Sequence, residues 1–295
     1  MKYARVIGAV AGQPWAIDPL KGKAMLEFLA FAAGGGKYSP SERAAIIGED
    51  REEQVREQVG GVAVIPLMGV MSQRVGMMDE ISGGTSTDRV GQMITAAADD
   101  ESVKAIIIHT ASPGGSVYGT EELGNRIRAA RDKKPVVAMV DSYAASAAYW
   151  AISQAEEIVI APGGDVGSIG VYMLHEEISK LLEEQGIQET FISAGKYKVE
   201  GNPFEPLGDE AKEHYQAMVN EAYDKFVSVV ASGRGVDVDR VLNDFGQGRM
   251  VSAEKAVQVG MADRIATLDE TIQRFMSKGR NAETERRRLA LRKRR

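Results

Sequence analysis

Ser146 sits where a serine can do chemistry. It lies in Ala144-Ala145-Ser146-Ala147-Ala148-Tyr149-Trp150, between the apolar run Pro135–Val140 and a run of small and apolar residues. The first run reads as a buried strand and the second as a buried helix. A serine at such a strand-to-helix turn stands beside backbone N–H groups that have no partner inside the helix. That position suits a nucleophile and the oxyanion its attack generates. It also suits a serine that only caps the helix or fills a small space.

Other chemistries are narrowed by composition. The 295-residue chain has no cysteine, which excludes disulfides, thiol nucleophiles and thiolate metal sites. Its three histidines, His109, His175 and His214, have no short metal-ligand spacing. His109 ends an apolar run and reads as a core histidine, while His175 and His214 read as surface residues. The glycine-rich stretches lack the Lys-Ser/Thr ending of a phosphate loop. No metal, nucleotide or flavin cofactor is implied.

The elements that must hold Ser146 follow from the pattern around it. Val62–Leu67, Val103–Thr110, Val136–Val140 and Glu157–Ala161 are short apolar runs rich in β-branched residues. Continuous runs of this kind mark strands covered on both faces, as in a parallel sheet. Between them lie amphipathic stretches with Val90, Ile94 and Ala97 on one face, then Leu123, Ile127 and Ala130. Thr85 and Asp88 have capping-box spacing before the first. This alternation predicts an α/β fold of repeated βαβ units around a mostly parallel sheet. Farther along, 176–185 is expected to be helical, 189–193 a strand, and 209–232 a long helix. Gly260 is expected to end a short helix before 261–265 rejoins the sheet.

Four segments stand in a recognisable order: Ser112-Pro113-Gly114-Gly115, Ala144-Ala145-Ser146, Gly167-Ser168-Ile169-Gly170 and Gly195-Lys196-Tyr197-Lys198. A fifth runs from Gly248-Arg249-Met250 to Gly260-Met261-Ala262-Asp263. From about Val62 to Leu268 this set resembles the signal peptide peptidase A family of serine peptidases, within the ClpP/crotonase superfamily. The resemblance implies the spiral of βαβ units of that superfamily, a serine endopeptidase activity and a Ser–Lys dyad. Ser146 matches the nucleophile, Lys198 the general base and Ser168 a serine that orients the lysine. Gly115 matches the oxyanion-hole glycine, with the N–H of Ala147 as its partner; Gly114 and Lys196 are the adjacent alternatives. Ala147-Ala148 departs from the two glycines common in the family, although a backbone donor survives that change.

The residue types fit this role. A serine hydroxyl needs a base, and a lysine at its ordinary pKa of about 10.4 is protonated. Burial in an apolar pocket lowers a lysine to about 7–8, where it can accept a proton. Spacing does not choose between Lys196 and Lys198; the motif match favours Lys198. A Ser-His-Asp triad is the competing arrangement, with His175 seven residues beyond Ser168.

Residues 1–58 are expected to form an N-terminal extension, 59–276 the peptidase-like domain and 277–295 a tail too poor in apolar residues to fold alone. That tail is basic: from Lys278 onward there are nine Lys/Arg and two Glu, leaving 27 basic against 40 acidic residues in the rest. No apolar run approaches membrane-spanning length, so no membrane anchor and a cytoplasmic location are expected. Without an anchor the chain looks more like the head-maturation (capsid assembly) proteases of phages and prophages. The expected partners are then capsid, portal or scaffold proteins as substrates and other copies of the chain in a homo-oligomer. Nucleic acid is expected only at the basic tail, if at all. A methionine-rich loop around Met71, Met77 and Met78, with the Phe204 region, could line an apolar groove or simply pack in the core. The alternative within the peptidases is a cytoplasmic signal-peptide or quality-control peptidase; the alternatives of another class are a crotonase-type acyl-CoA enzyme and an inactive capsid-assembly factor.

Overall fold

The runs Val62–Met68, Ala105–Ser112 and Val136–Ala145 are neighbouring parallel strands at the centre of the molecule. The computed structural model describes residues 13–17, 19, 22–23, 27, 31, 57–74 and 84–277. In chain order these form β1 (Trp15–Ile17), β2 (Glu57–Val59), β3 (Val62–Met68), β4 (Met71–Ser72), β5 (Thr85–Ser86) and helix α1 (Thr87–Asp99). There follow β6 (Ala105–Ser112), β7 (Gly114–Ser116), α2 (Thr120–Arg131), β8 (Val136–Ala145), α3 (Ala147–Ile152), β9 (Glu157–Ile160) and β10 (Asp165–Gly167). The last elements are α4 (Ser179–Glu184), α5 (Asp209–Arg234), α6 (Val238–Asp244), β11 (Met250–Ser252), α7 (Ala253–Val259) and β12 (Arg264–Ile265).

Among the described residues the larger sheet runs β11-β10-β8-β6-β3-β2, with β9 and β12 branching from β8. β8 is long enough to serve two partners on one edge: Val137–Val140 pair with β9, and Tyr143–Ala145 pair with β10. The smaller sheet runs β1-β7-β4-β5. The expected α/β architecture with a mostly parallel sheet is therefore the one observed.

Alternation along the strands covers both faces. Ile106, Ile108, Val136, Ala138 and Val140 face the helices α1, α2, α3 and α5. Ile107, Val137, Met139 and Val159 face the other way, against Ile272, Phe275 and Met276 of the helical residues 268–277. Burying such side chains contributes about 1.5–3 kcal/mol each.

Two local expectations need correction. The cap of α1 is Ser86, whose Oγ accepts from Arg89 N at 3.3 Å. The Thr85 hydroxyl is instead turned towards β3, where it donates to Met68 O. Residues 189–193, expected to form a strand, are neither strand nor helix; Ile192 is 100% exposed there. A strand needs a partner edge, and none adjoins it among the described residues. The long helix and Gly260, with φ 90° at the end of α7, are as expected. Met68 and Met71 are buried; Met77 and Met78 lie outside the described residues, as does the tail beyond 277.

Candidate active site

Three adjacent parallel strands, β10, β8 and β6, end at one place. Ala145 is in register with Gly167, and Ala144 with Ser112. Ligands of α/β sheets bind beyond the carboxyl ends of the strands. Here the residues just beyond are Ser146, Ser168 and Pro113-Gly114.

Ser146 joins β8 directly to α3 with φ 55° and ψ −119°. A positive φ is costly for a residue with a Cβ and marks a sharp, strained turn. Small neighbours permit it: Ala144, Ala145, Ala147 and Ala148 are all buried in contact with the core. The serine side chain makes no capping hydrogen bond to the helix. Its Oγ donates to Gly170 O at 3.3 Å, while its N–H donates to Gly167 O at 2.7 Å. The capping role is thus absent, and the serine sits on a sharp, strained strand-to-helix turn.

Gly114 has φ 92°, and a Cβ there would lie 2.2 Å from Ala16 O and 2.9 Å from Ala147 N. Its own N–H donates to Ser112 Oγ at 3.2 Å. Gly115 is held between β1 and β4; a Cβ there would lie 1.9 Å from Met71 O. Neither position accepts a side chain. Ala147 is the first residue of α3, so its N–H has no acceptor within the helix. The Ala147 N–H, next in the chain to Ser146, thus packs closely against Gly114.

Ser168 mirrors Ser146. It follows β10 with φ 52°, is buried, and donates its N–H to Arg249 O at 3.0 Å. Lys198 is not brought to these residues. It lies exposed in the turn 195–201, its N–H donating to Gly195 O at 3.1 Å, and among the described residues its amine has no hydrogen bond with Ser146 or Ser168. Lys196 Nζ is 2.7 Å from Glu210 Oε1 and from the Tyr197 hydroxyl. Glu210 and Tyr197 hold that ammonium above the ordinary lysine range, which disfavours Lys196 as a base.

The histidines stand elsewhere. His175 is half-buried with Nε2 3.2 Å from Asn202 O, His109 Nε2 is 3.5 Å from Asp141 Oδ2, and His214 is exposed. Among the described residues no group of acidic or histidine side chains could hold a metal ion, and no helix is long and apolar enough to cross a membrane.

Behind the turn, α3 is firmly fixed. Trp150 stacks on Phe226 of α5 with ring centroids 4.7 Å apart. The buried Tyr149 hydroxyl donates to Met261 O at 3.0 Å, and burial pushes its pKa up. Arg234, at the end of α5, forks onto Asp263 at 2.7 and 3.0 Å, and Asp263 also accepts from Ile158 N. One further neighbour is not apparent in the sequence: Trp15–Ile17 lies along Gly114–Ser116, signalled only by a short apolar run before Asp18-Pro19.

The fold and this turn define an α/β protein with a serine held in a strained elbow beside backbone donors. The chain belongs to peptidase family S49, whose model matches residues 128–282. A protein of Methanocaldococcus jannaschii is 38% identical over 176 residues, covering 60% of this chain and 56% of that protein. Capsid assembly protease C of Escherichia phage lambda is 29% identical over 86% of this chain and 58% of its own length. Head-tail preconnector protein GP5 of Enterobacteria phage P21 is 30% identical over 76% of this chain and 44% of its own. The chain thus spans about half the length of the curated relatives it matches. Among solved structures, the 1510-N membrane-bound stomatin-specific protease aligns with 72% of this chain and 83% of that chain at 18% identity and TM-score 0.47.

Proposed function

We propose that this chain is a serine endopeptidase in which Ser146 attacks the substrate carbonyl and Lys198 is the base. The observation that carries the reading is the strained, uncapped Ser146 beside the Ala147 N–H. In the reaction the neutral Lys198 amine takes the Ser146 proton as Oγ bonds to the carbonyl carbon. The oxyanion is held by the Ala147 N–H and the Gly115 backbone. The ammonium then returns its proton to the leaving amine, and water hydrolyses the acyl-serine in the same way. Ser168 orients the amine.

A lysine serves as base only when neutral, and desolvation is what makes it so. In the single chain Lys198 lies on an exposed arm together with Leu181, Phe191 and Ile192. Association of copies through this arm would cover that apolar surface and desolvate the amine. The likeness to phage capsid assembly protease C and to head-tail preconnector protein GP5 supports capsid, portal or scaffold proteins as substrates.

The test is co-expression with capsid and scaffold proteins, with fragments identified by mass spectrometry. Wild type should cut, and Ser146→Ala and Lys198→Ala should lose about 10³-fold or more. Equal cutting by all three would end the dyad reading, and no cutting by any of them would favour a non-peptidase role.

A further inference from the structure

Trp15–Ile17 runs between the two segments that carry the candidate site. On one side it pairs antiparallel with β7, Ala16 opposite Gly115 and Ile17 opposite Gly114. On the other side Trp15 N donates to Tyr172 O at 2.9 Å and Tyr172 N to Trp15 O at 3.0 Å. Tyr172 closely follows Ser168 and Gly170, whose carbonyl receives the Ser146 hydroxyl. The strand is almost fully buried, with Trp15, Ala16 and Ile17 at 4%, 0% and 2% exposure.

The Ala16 carbonyl of this strand packs beside the candidate site. A Cβ on Gly114 would lie 2.2 Å from Ala16 O and 2.9 Å from Ala147 N, so that carbonyl and that donor both pack closely against Gly114. An extended peptide carbonyl thus rests against the groups assigned to the oxyanion. Two strand edges flanking a groove bind extended peptides through main-chain hydrogen bonds, with side-chain pockets adding selectivity.

We propose that the groove between Gly114–Ser116 and Tyr172 is the acceptor for one extended segment of a protein substrate, and that Trp15–Ile17 is its built-in occupant. The N-terminal strand is then an intramolecular competitor that must leave before cleavage. The groove prefers a small residue flanked by large apolar ones, in the pattern Trp-Ala-Ile. The proposal rests on Ser146 being the nucleophile. A strand of three residues can be displaced locally while the central sheet persists.

The experiment opens the groove with Ala16→Asp, which sets an unpaired carboxylate where Ala16 is fully buried. A fluorescein-labelled peptide Gln-Pro-Trp-Ala-Ile-Asp is titrated by anisotropy into Ser146→Ala and into Ser146→Ala/Ala16→Asp. The double variant should bind at least about tenfold more tightly, because the tethered strand no longer competes at its high effective concentration. Ala16→Asp alone should cut substrate faster than wild type. A second variant, Trp15→Cys/Tyr172→Cys, uses the absence of other cysteines: oxidation should block cleavage and reduction restore it. Peptide binding to the opened groove without any cleavage would support the groove and overturn the Ser146 reading. Cleavage unaffected by both variants, with no gain in peptide binding, would overturn the groove and leave Ser146 standing.

Discussion

Ser146 and Ser168 stand side by side, each one residue beyond a paired strand end, and both have positive φ, 55° and 52°. Ala145 and Gly167 are the register partners that set them there, and the Ser146 N–H closes the pair by donating to Gly167 O at 2.7 Å. Two residues with side chains in this region of backbone space in one small site indicate strain retained for a purpose.

That strain should be measurable at Ser146. Ser146→Gly relieves it, whereas Ser146→Ala keeps a Cβ in the same backbone. The glycine variant should be more stable than the alanine variant by about 1–2 kcal/mol, or a few degrees in Tm. Both should lose cleavage. Calorimetry of the two variants decides; equal Tm values would mean that the turn relaxes around either residue.

The two lysines should behave oppositely. Lys196 is tied to Glu210 and Tyr197 on the surface, so Lys196→Ala should leave turnover within about twofold and Tm essentially unchanged. Lys198→Ala should abolish turnover with no change in fold. Because Lys198 has no hydrogen bond to Ser146 within one chain, mixing inactive Ser146→Ala with inactive Lys198→Ala should restore activity through association of copies. A mixture as inactive as its parts would confine each dyad to one chain.

Acid should weaken the attachment of the helical residues 268–277. Burial pushes the Glu157 carboxyl up, but hydrogen bonds and charge from Arg274, then Arg264, outweigh it and hold the pKa below the ordinary 4.5. The folded chain therefore binds this proton less readily than the unfolded chain. The resulting stability is present above pH 4.5 and is lost as pH falls through the lower, folded value. Because Glu157 is partly exposed, Glu157→Gln should cost only about 1 kcal/mol at neutral pH. Its Tm should then fall less steeply than wild type below pH 4.5. Parallel curves in scanning calorimetry would remove Glu157 from the acid response.

The strands were legible because runs such as Ile106-Ile107-Ile108 and Val136–Val140 can be buried on both faces only in a covered parallel sheet. The small residues around Ser146 marked the turn, but not its sign of φ, which depends on how β8 and β10 end together. Residues 189–193 contain the β-branched and aromatic residues of a strand, Thr190, Phe191 and Ile192, yet a strand exists only with a partner edge. Trp15–Ile17 was obscure for the converse reason: three residues carry no periodicity, and their partners, Gly114–Ser116 and Tyr172, lie far away in the chain. The position of Lys198 was likewise illegible, because burial of a loop lysine is decided by what packs over it.

The packing behind α3 should control the reactivity of Ser146. Phe226 is fully buried and stacks on Trp150, four residues beyond the serine, with planes 12° apart. Phe226→Ala should cost about 3–5 kcal/mol through lost burial and the cavity left behind. Arg234→Ala should cost about 2–3 kcal/mol, because Asp263 is partly exposed and only the arginine side of the pair is deeply buried. Only the first removes the ring that holds Trp150. A fluorophosphonate probe should therefore label Ser146 more slowly in Phe226→Ala than in Arg234→Ala when both are assayed well below their Tm. Tryptophan emission should shift to the red in Phe226→Ala, since Trp150 is one of only two tryptophans. Equal labelling rates in the two variants would mean that the elbow keeps its geometry without the stack, and that Phe226 contributes stability alone.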